Sequence, residues 1–345
     1  MSPRTRLPLL AMFAAASAAP AMASGCLTGF PHYRPAHLAV PADAAYRAPD
    51  GRFRIIGYND MAEMLTPMAA LFTRKHPGFR FELILKGTRS APPALTDGSS
   101  FLAPMGAEWT ERDLAAFRAR YGSDPLAIRI AHDSISPAAI SSPTAIMVNA
   151  ANPLQHITLE QARKIFTQDG AITDWSQLAP GSTGAIHPVG LAEGTAIGQF
   201  MRHHIFADAA FTPAYAGMPQ SRAVIAQVAS DPLAIGLANL NQATSGVRAL
   251  GIVARPGDRP SFGTADDIRG GHYPLDRRLL VYARRDRSGR VEPLAKAWAE
   301  LLLSCEGQAI IAVGKLGYIP LNPQDAANER QKLYDIDDPR RSTLR

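Results

Sequence analysis

Apolar residues in the first part of this chain alternate between strand-like and helix-like spacing. The run FRIIG at 53–57 is followed by a helical pattern over 61–76, in which apolar residues recur every three or four positions. Residues 79–85 then alternate as a second strand, and 101–107 form a third short apolar run. A helix over 110–122 follows, opened by a Thr with an Asp three positions later, as in a capping box. This order predicts a doubly wound α/β sheet.

A second α/β unit follows the first. Residues 144–154 predict a strand that ends in an Asn-Pro turn, and 185–190 predict a strand leading into a helix over 195–206. The strand predicted within 272–284 returns the chain to the first unit, and we expect two lobes joined by more than one crossover. The predicted division is a signal peptide at 1–26, a leader or linker at 27–50, lobe 1 at 51–131 plus 272–323, lobe 2 at 132–271, and a polar, surface C-terminal tail at 324–345.

Three strand-to-helix junctions are candidates for a binding site. They are GYND at 57–60, KGTRSA at 86–91 and LAEGTA at 191–196. In open α/β sheets, ligands bind beyond the carboxyl ends of strands, where helices begin. The first N–H groups of a helix lack partners and lie at the positive end of its dipole, so such junctions favour anions. A cleft between the two lobes is therefore the expected site.

The N-terminus predicts export. Arg4 and Arg6 precede a short apolar run that ends in an A-x-A cleavage pattern at 21–23. The segment ASGC also places Cys26 in a weak lipobox-like context, so lipid attachment at Cys26 is one interpretation. Cleavage after the A-x-A pattern is the other, and it leaves Cys26 and Cys305 able to pair in an oxidising compartment. The expected location is periplasmic or secreted.

Composition and charge exclude several function classes. Apolar residues make up 46% of the chain and charged residues 19%, as in an ordinary globular protein. The net charge is +6, but the basic residues are scattered and lack an aromatic stripe, which disfavours nucleic acid as a partner. His203 and His204 are adjacent on a predicted helix and point about 100° apart, so they are poorly placed to chelate one ion. No spacing picks out a catalytic nucleophile with its base, and we expect neither an enzyme nor a cofactor.

From about residue 53 to 322 the chain resembles exported phosphate-type solute-binding proteins, the receptors of phosphate ABC importers. The resemblance is carried, in the family's order, by GYNDM, HPGFRFEL, KGTRSA, IAHDS, VNAANPL, ARKIFTQDGAITDWSQL, AEGTAIGQF, DPLAIGLANL, YPLDRRLLVYA and SCEGQAIIAVGKLGYIPL. It implies a two-lobed periplasmic-binding-protein fold of the type II kind, with doubly wound mixed sheets and a hinge. It also implies a monomer that captures phosphate or another small oxyanion or polar solute and presents it to an ABC permease.

In this family, amides and hydroxyls at helix N-termini hold phosphate, together with an arginine and a carboxylate that accepts a phosphate proton. This chain departs from that pattern. Asp60 replaces a hydroxyl residue, Gly106-Ala107 stands where the carboxylate is expected, and Glu193 replaces a serine. The family's arginine position is Val189 or Leu191 here. The positions expected to line the site are Asn59, Asp60, Met61, Gly87, Thr88, Arg89, Ser90, Glu193, Gly194 and Thr195.

Other interpretations of these residues remain open at this stage. Asp60 is either a ligand contact or a plain N-cap of its own helix. Glu193 either faces the ligand or pairs with Arg89 or Arg202. The alternative function is a secreted or lipid-anchored interaction protein whose ligand site has degenerated.

Overall fold

The computed structural model describes residues 26–334. Its strands are β1 (Phe53–Gly57), β2 (Phe81–Leu85), β3 (Leu102–Met105), β4 (Leu126–Ser134), β5 (Thr144–Asn149), β6 (His156–Thr158), β7 (His187–Leu191), β8 (Ala216–Met218), β9 (Ala234–Asn239), β10 (Val247–Ala249), β11 (Gly251–Val253), β12 (Arg278–Ala283) and β13 (Tyr318–Pro320). Its helices are α1 (Ala62–Lys75), α2 (Ala91–Asp97), α3 (Glu111–Tyr121), α4 (Leu159–Phe166), α5 (Ala196–Phe200), α6 (Ser221–Ser230), α7 (Ala265–Arg269), α8 (Pro293–Leu302), α9 (Cys305–Ala312) and α10 (Pro323–Gln331). None of these helices is long and apolar enough to cross a membrane.

The first lobe is built on a four-stranded antiparallel sheet. Strands run in the order β13-β4-β12-β3, and β12 pairs antiparallel with both of its neighbours. Strands β1 and β2 form a separate parallel pair whose edge lies against β3, where the Tyr58 N–H donates to the Pro104 carbonyl at 3.0 Å. Pro104 has no N–H to donate, which prevents a regular ladder between β1 and β3. The Ser100 hydroxyl fills part of the gap by accepting from the Ile56 N–H at 3.0 Å.

The second lobe contains its own sheet and core. The strand order is β10-β5-β9-β7-β8, with parallel and antiparallel neighbours, and β11 pairs with β6 in a small parallel ribbon. Trp175, Phe166 and Phe206 are among the fully buried side chains of this core. The predicted α/β class with two lobes and mixed sheets is confirmed.

The predicted lobe boundaries differ from the structure by a few residues. The boundary at 131/132 falls inside β4, which continues to Ser134 in the sheet of lobe 1. On the return, Tyr273 and Leu275 still pack in the core of lobe 2 before β12 begins. The chain therefore crosses between the lobes within 135–143 and again near 276–277.

The segment predicted as a leader or linker packs against lobe 1. Tyr33 and Tyr46 are each 5% exposed and belong to the hydrophobic core of that lobe. The Tyr46 hydroxyl donates to Glu292 at 2.8 Å at the start of α8. The leader or linker predicted at 27–50 is therefore a coil segment packed on lobe 1, because aromatic residues spaced without periodicity can still bury their rings.

The prediction of a surface tail at 324–345 is also partly wrong. Asn322 caps α10, and Ala326 and Glu329 on this helix are buried against lobe 1. The Glu329 carboxylate accepts from the Arg129 N–H of β4 at 3.0 Å, which explains how a polar helix packs on the sheet. Residues 335–345 of the predicted tail, and 1–25 of the predicted signal peptide, lie outside the described residues.

We expect Gly57→Ala to destabilise lobe 1. A Cβ at Gly57 lies 2.5 Å from the Pro104 carbonyl oxygen, a backbone atom that cannot move without displacing β3. The cost should resemble that of overpacking a core, about 1–3 kcal/mol of unfolding free energy by denaturant titration. The control is Gly194→Ala, since a Cβ there meets nothing within 4 Å and its φ is not positive. Equal stabilities for the two variants would contradict this account of the β1–β3 contact.

Candidate ligand-binding cleft

The first two predicted junctions lie side by side at the carboxyl ends of β1 and β2. The Gly87 N–H donates to the Gly57 carbonyl at 3.0 Å, and the Ser90 hydroxyl donates to the Gly87 carbonyl at 2.7 Å. Gly87 has φ +107°, a backbone conformation that favours glycine, and this turns the chain directly into a short helical turn at Thr88–Ser90. Asn59 lies near this turn, since a Cβ on Gly87 would be 3.8 Å from Asn59 Oδ1. The structure therefore brings Asn59, Gly87 and Thr88 together.

The third junction belongs to lobe 2 and follows β7. Thr195 is the N-cap of α5: its hydroxyl accepts from the Gly198 N–H at 3.1 Å and donates to the Ala192 carbonyl at 2.7 Å. Gly198 is required there because a Cβ would lie 2.4 Å from the Ala192 oxygen. The Thr195 hydroxyl is therefore used in shaping the junction, and its exposed neighbours Glu193 and Gly194 supply the free surface.

Glu193 forms an ion pair with Arg202, one of the two partners considered for it. Arg202 lies in a π-helical turn, Met201–Ile205, that continues α5. The turn ends at Ala207 and Asp208, both with positive φ, where the Asp208 N–H donates to the Arg202 carbonyl at 2.9 Å. Both side chains of the pair are part exposed, so the pair is open to solvent and to salt screening.

Asp60 is buried, and the N-cap interpretation of this residue was wrong. It lies inside the short helical turn Asn59–Met61, whose cap position is Tyr58, and no side-chain cap bond is made there. Asp60 Oδ2 instead accepts from the Ile140 N–H at 2.9 Å and from the Tyr318 hydroxyl. Asp60 therefore ties lobe 1 to the first crossover segment. Its neighbour Met61 is fully buried in the core of lobe 1.

Tyr58 occupies the space beside the position where the family's carboxylate is expected. A Cβ on Gly106 would lie 2.4 Å from the ring of Tyr58 and 2.9 Å from Ser141 Oγ. The Tyr58 hydroxyl bonds Ser141 at 3.1 Å, and Ser141 lies in the first crossover segment. Burial raises the pKa of Tyr58 to about 12, so this phenol is neutral and acts as a hydrogen-bonding group. A carboxylate at position 106 is therefore sterically excluded while Tyr58 holds this position.

A buried ion pair lies between the two crossovers. Asp133 is fully buried, and Arg277 Nη1 approaches its Oδ2 at 3.6 Å, too far for a hydrogen bond. Arg277 Nη2 donates to the Gly106 carbonyl at 3.1 Å, so this cation is held at the end of β3. Burial raises the pKa of Asp133 to about 6, and Arg277 only partly opposes this effect.

His132 is the neighbouring buried group and points toward Asp276, with 2.8 Å between Nδ1 and Oδ2. Burial lowers its pKa to about 3, with the cations Arg278 and Arg269 acting in the same direction. His132 is therefore neutral at ordinary pH. His132 and Asp133 both lie near the end of β4, just before the first crossover.

A cavity of about 770 Å³ opens between the two lobes, and none of the predicted site residues, all of which the structure describes, is among the residues that line it. On the lobe 1 side it is lined by residues following β3, including Ala107 and Glu108, and on the lobe 2 side by α5 and the π-helical turn. His204 and Glu108 span the cleft with 2.6 Å between Nε2 and Oε2. His203 instead pairs with Asp208 at 2.5 Å, so the two adjacent histidines face different partners.

The predicted residues thus separate into two groups. Asn59, Thr88, Arg89, Glu193 and Gly194 are at least part exposed at junctions of the two lobes, whereas Asp60 and Met61 are buried. Sequence reasoning missed Tyr58, Arg277 and Tyr318. The signal for Arg277 was weak, since it is one arginine of a pair in a strand-like run, and its partners are 135 or more residues away along the chain.

We expect the free energy of unfolding to depend on pH through Asp133. Because the folded pKa of about 6 lies above the unfolded value, the stability that Asp133 contributes is full below about pH 4 and is lost as pH rises through 6. The loss is about 3 kcal/mol, at about 1.4 kcal/mol per pKa unit. Chemical denaturation should therefore show that the free energy of unfolding of the wild type falls, relative to that of Asp133→Asn, between pH 4 and 6.

A flat difference between wild type and Asp133→Asn across that range would refute the assignment. Loss of the Arg277 contact adds an offset that does not change with pH, because the guanidinium stays charged. Asp169→Asn is the matched control, since Asp169 is an exposed carboxylate paired with Arg163.

Comparison with known proteins places this architecture in a family. Residues 43–306 match the PBP superfamily domain. A protein of Pseudomonas aeruginosa named phosphate-binding protein PstS is 26% identical over 306 residues, which cover 86% of this chain and 91% of the relative.

Two solved structures share the fold. An ABC-type phosphate transport receptor from Vibrio cholerae is 20% identical with a TM-score of 0.52, covering 77% of this chain and 98% of that one. PstS from Borrelia burgdorferi is 16% identical with a TM-score of 0.51, covering 78% and 98%. The chain therefore belongs to the PBP superfamily, and its similarity to phosphate-binding members of that superfamily extends through both lobes.

Proposed function

We propose that this chain is an exported solute-binding receptor that captures phosphate or another small oxyanion or polar solute between its lobes. A monomer loaded in this way would be presented to an ABC permease, and the chain would carry out no catalysis. The observation that carries the proposal is the cleft itself, which is lined on the lobe 1 side by the start of α3 and by β12, and on the lobe 2 side by α5 and the π-helical turn. The relatives named for phosphate binding support it.

The ligand contacts in this proposal are mostly backbone amides. Asn59 and Thr88 are the first residues of short helical turns, where the first N–H groups have no partner within the turn, and Glu193 lies in the turn just before the N-cap of α5. Such amides stabilise an oxyanion without a full positive charge. Arg89, exposed beside Thr88, is the side chain that would add a cation.

Asp60 has a specific part in this proposal. Both of its hydrogen bonds go to Oδ2, and Oδ1 accepts none among the described residues. An ionised carboxylate oxygen can accept a proton-bearing oxygen of a ligand but repels a bare anion. The site would therefore favour protonated phosphate, or a polar solute with a hydroxyl group, over a fully deprotonated oxyanion such as sulfate.

Closure of the lobes would couple binding to recognition by a permease. The hinge is formed by the two crossover segments, held beside each other by Arg277 and Asp133. The His204–Glu108 pair joins the walls of the cleft directly. A ligand that contacts both walls stabilises the closed form by its differential affinity for it.

The second candidate is a secreted interaction protein without a small ligand. One observation favours it: the polar groups of the predicted site already have partners within the chain. Thr195 caps α5, Glu193 pairs with Arg202, and Asp60 bonds Tyr318.

Phosphate should raise the melting temperature of the purified mature protein. A ligand at 100 times its Kd stabilises the folded state by about 2.7 kcal/mol, which corresponds to a shift of roughly 5 °C or more for a chain of this size. Sulfate and a panel of polar solutes serve as comparison ligands in the same thermal scan. A melting temperature unchanged by every member at millimolar concentration would favour the interaction protein.

Glu193→Gln should tighten phosphate binding. The substitution removes one negative charge near the ligand and releases Arg202 from its ion pair, and both changes favour an anion. The Kd should fall by up to about tenfold, or about 1.4 kcal/mol. Isothermal titration would measure the change. Glu160→Gln is the matched control, because Glu160 is also an exposed lobe 2 glutamate paired with a cation, Lys164. An identical Kd for Glu193→Gln and wild type would show that Glu193 does not lie near the bound phosphate.

A further inference from the structure

The two cysteines of this chain meet on the surface of lobe 1. Cys26 is exposed at the start of the described residues, and Cys305 is the first, fully buried residue of α9. Their Cα atoms are 5.1 Å apart, within the range of about 4.4–6.8 Å that a disulfide requires, and the two are joined. No described cysteine is free.

Contacts that do not involve sulfur hold the same segment in place. The Cys305 N–H donates to the Pro31 carbonyl at 2.9 Å, and the Tyr33 N–H donates to Glu306 Oε2, also at 2.9 Å. In each of these bonds one partner, Cys305 or Glu306, lies in the first turn of α9, whose N–H groups need partners from outside the helix. The Tyr33 hydroxyl reaches His76 Nε2 at 2.6 Å at the end of α1. The segment therefore docks on two helices of lobe 1 by backbone and side-chain bonds.

The docked position of Cys26 bears on which of two covalent bonds its sulfur atom forms. Lipid attachment joins Cys26 Sγ to a diacylglyceryl group through a thioether, with Cys26 as the first residue of the mature chain. Disulfide formation instead removes one proton and one electron from each of Cys26 and Cys305. These pass to the disulfide of a thiol oxidoreductase in the exporting compartment, which is reduced to a dithiol. Cys26 Sγ cannot take part in both bonds.

We propose that Cys26 is a structural disulfide partner of Cys305 and that the lipobox-like sequence around it is not used. The mature chain then begins at Ser24, after the A-x-A pattern, and carries no lipid. The bond closes the chain over a separation of 279 residues and fastens the N-terminal segment to the last part of lobe 1. This proposal does not depend on which ligand the cleft binds.

Intact mass spectrometry of the full-length gene product, exported by a Gram-negative host and isolated without reductant, tests the proposal. The expected mass is that of a chain starting at Ser24 and lacking two hydrogens. In denaturant, iodoacetamide should label neither cysteine before reduction and both afterwards. A diacylglyceryl mass on Cys26, or labelling of both cysteines before reduction, would overturn the proposal. So would a zinc ion held by reduced Cys26, Cys305 and the neighbouring His32.

Variants separate the disulfide from a purely local packing role. Cys26→Ser and Cys305→Ser should each lower the melting temperature by roughly 5–10 °C, and the double variant should fall no further, because all three lose one bond. In Cys305→Ser, Cys26 should become labelled without reduction. Additive losses for the two single variants, or no loss from Cys26→Ser, would show that the cysteines act separately. Ser304→Ala at the cap of α9 is a control that alters the same helix end and keeps the bond.

Discussion

The contact between Arg277 and the two crossovers is the constraint on which the two-lobed arrangement depends. Arg277 lies where the chain leaves lobe 2, and it reaches the carbonyl of Gly106 at the end of β3 and the carboxylate of Asp133 in β4. An arginine that is 9% exposed must satisfy its donors within the protein. The position of one lobe relative to the other is therefore tied to backbone atoms at the edge of the cleft.

The same constraint explains why the cleft differs from the pattern expected by resemblance. With Tyr58 and Ser141 against Gly106 and Arg277 on its carbonyl, no space remains for a carboxylate at that position. Negative charge lies instead on Asp60, which faces the hinge, and on Glu193, which an arginine partly neutralises.

Local signals in the sequence were enough to predict most of the scaffold. Thr110 and Asp113 form the capping box that opens α3, and FRIIG forms β1, because these features depend on residues a few positions apart. The partners of Asp60 were not predictable in this way, since they lie 80 and 258 residues distant along the chain. The packing of the segment at 27–50 was not predictable for a related reason, since its aromatic rings are buried by tertiary contacts and follow no periodic pattern. Glu193 was an intermediate case. Its partner Arg202 was one of two candidate arginines, but nothing in the sequence favoured Arg202 over Arg89.

Both ends of the described chain belong to lobe 1. Cys26 is fixed to α9, and Tyr334 packs in the same core as Tyr33, whereas lobe 2 is one uninterrupted stretch. A fluorescent protein fused directly after Tyr334 therefore travels with lobe 1 alone. A dye placed at the open turn around Gly181 travels with lobe 2. Energy transfer between the two reports the angle between the lobes, which makes the connectivity of this chain suitable for an optical sensor.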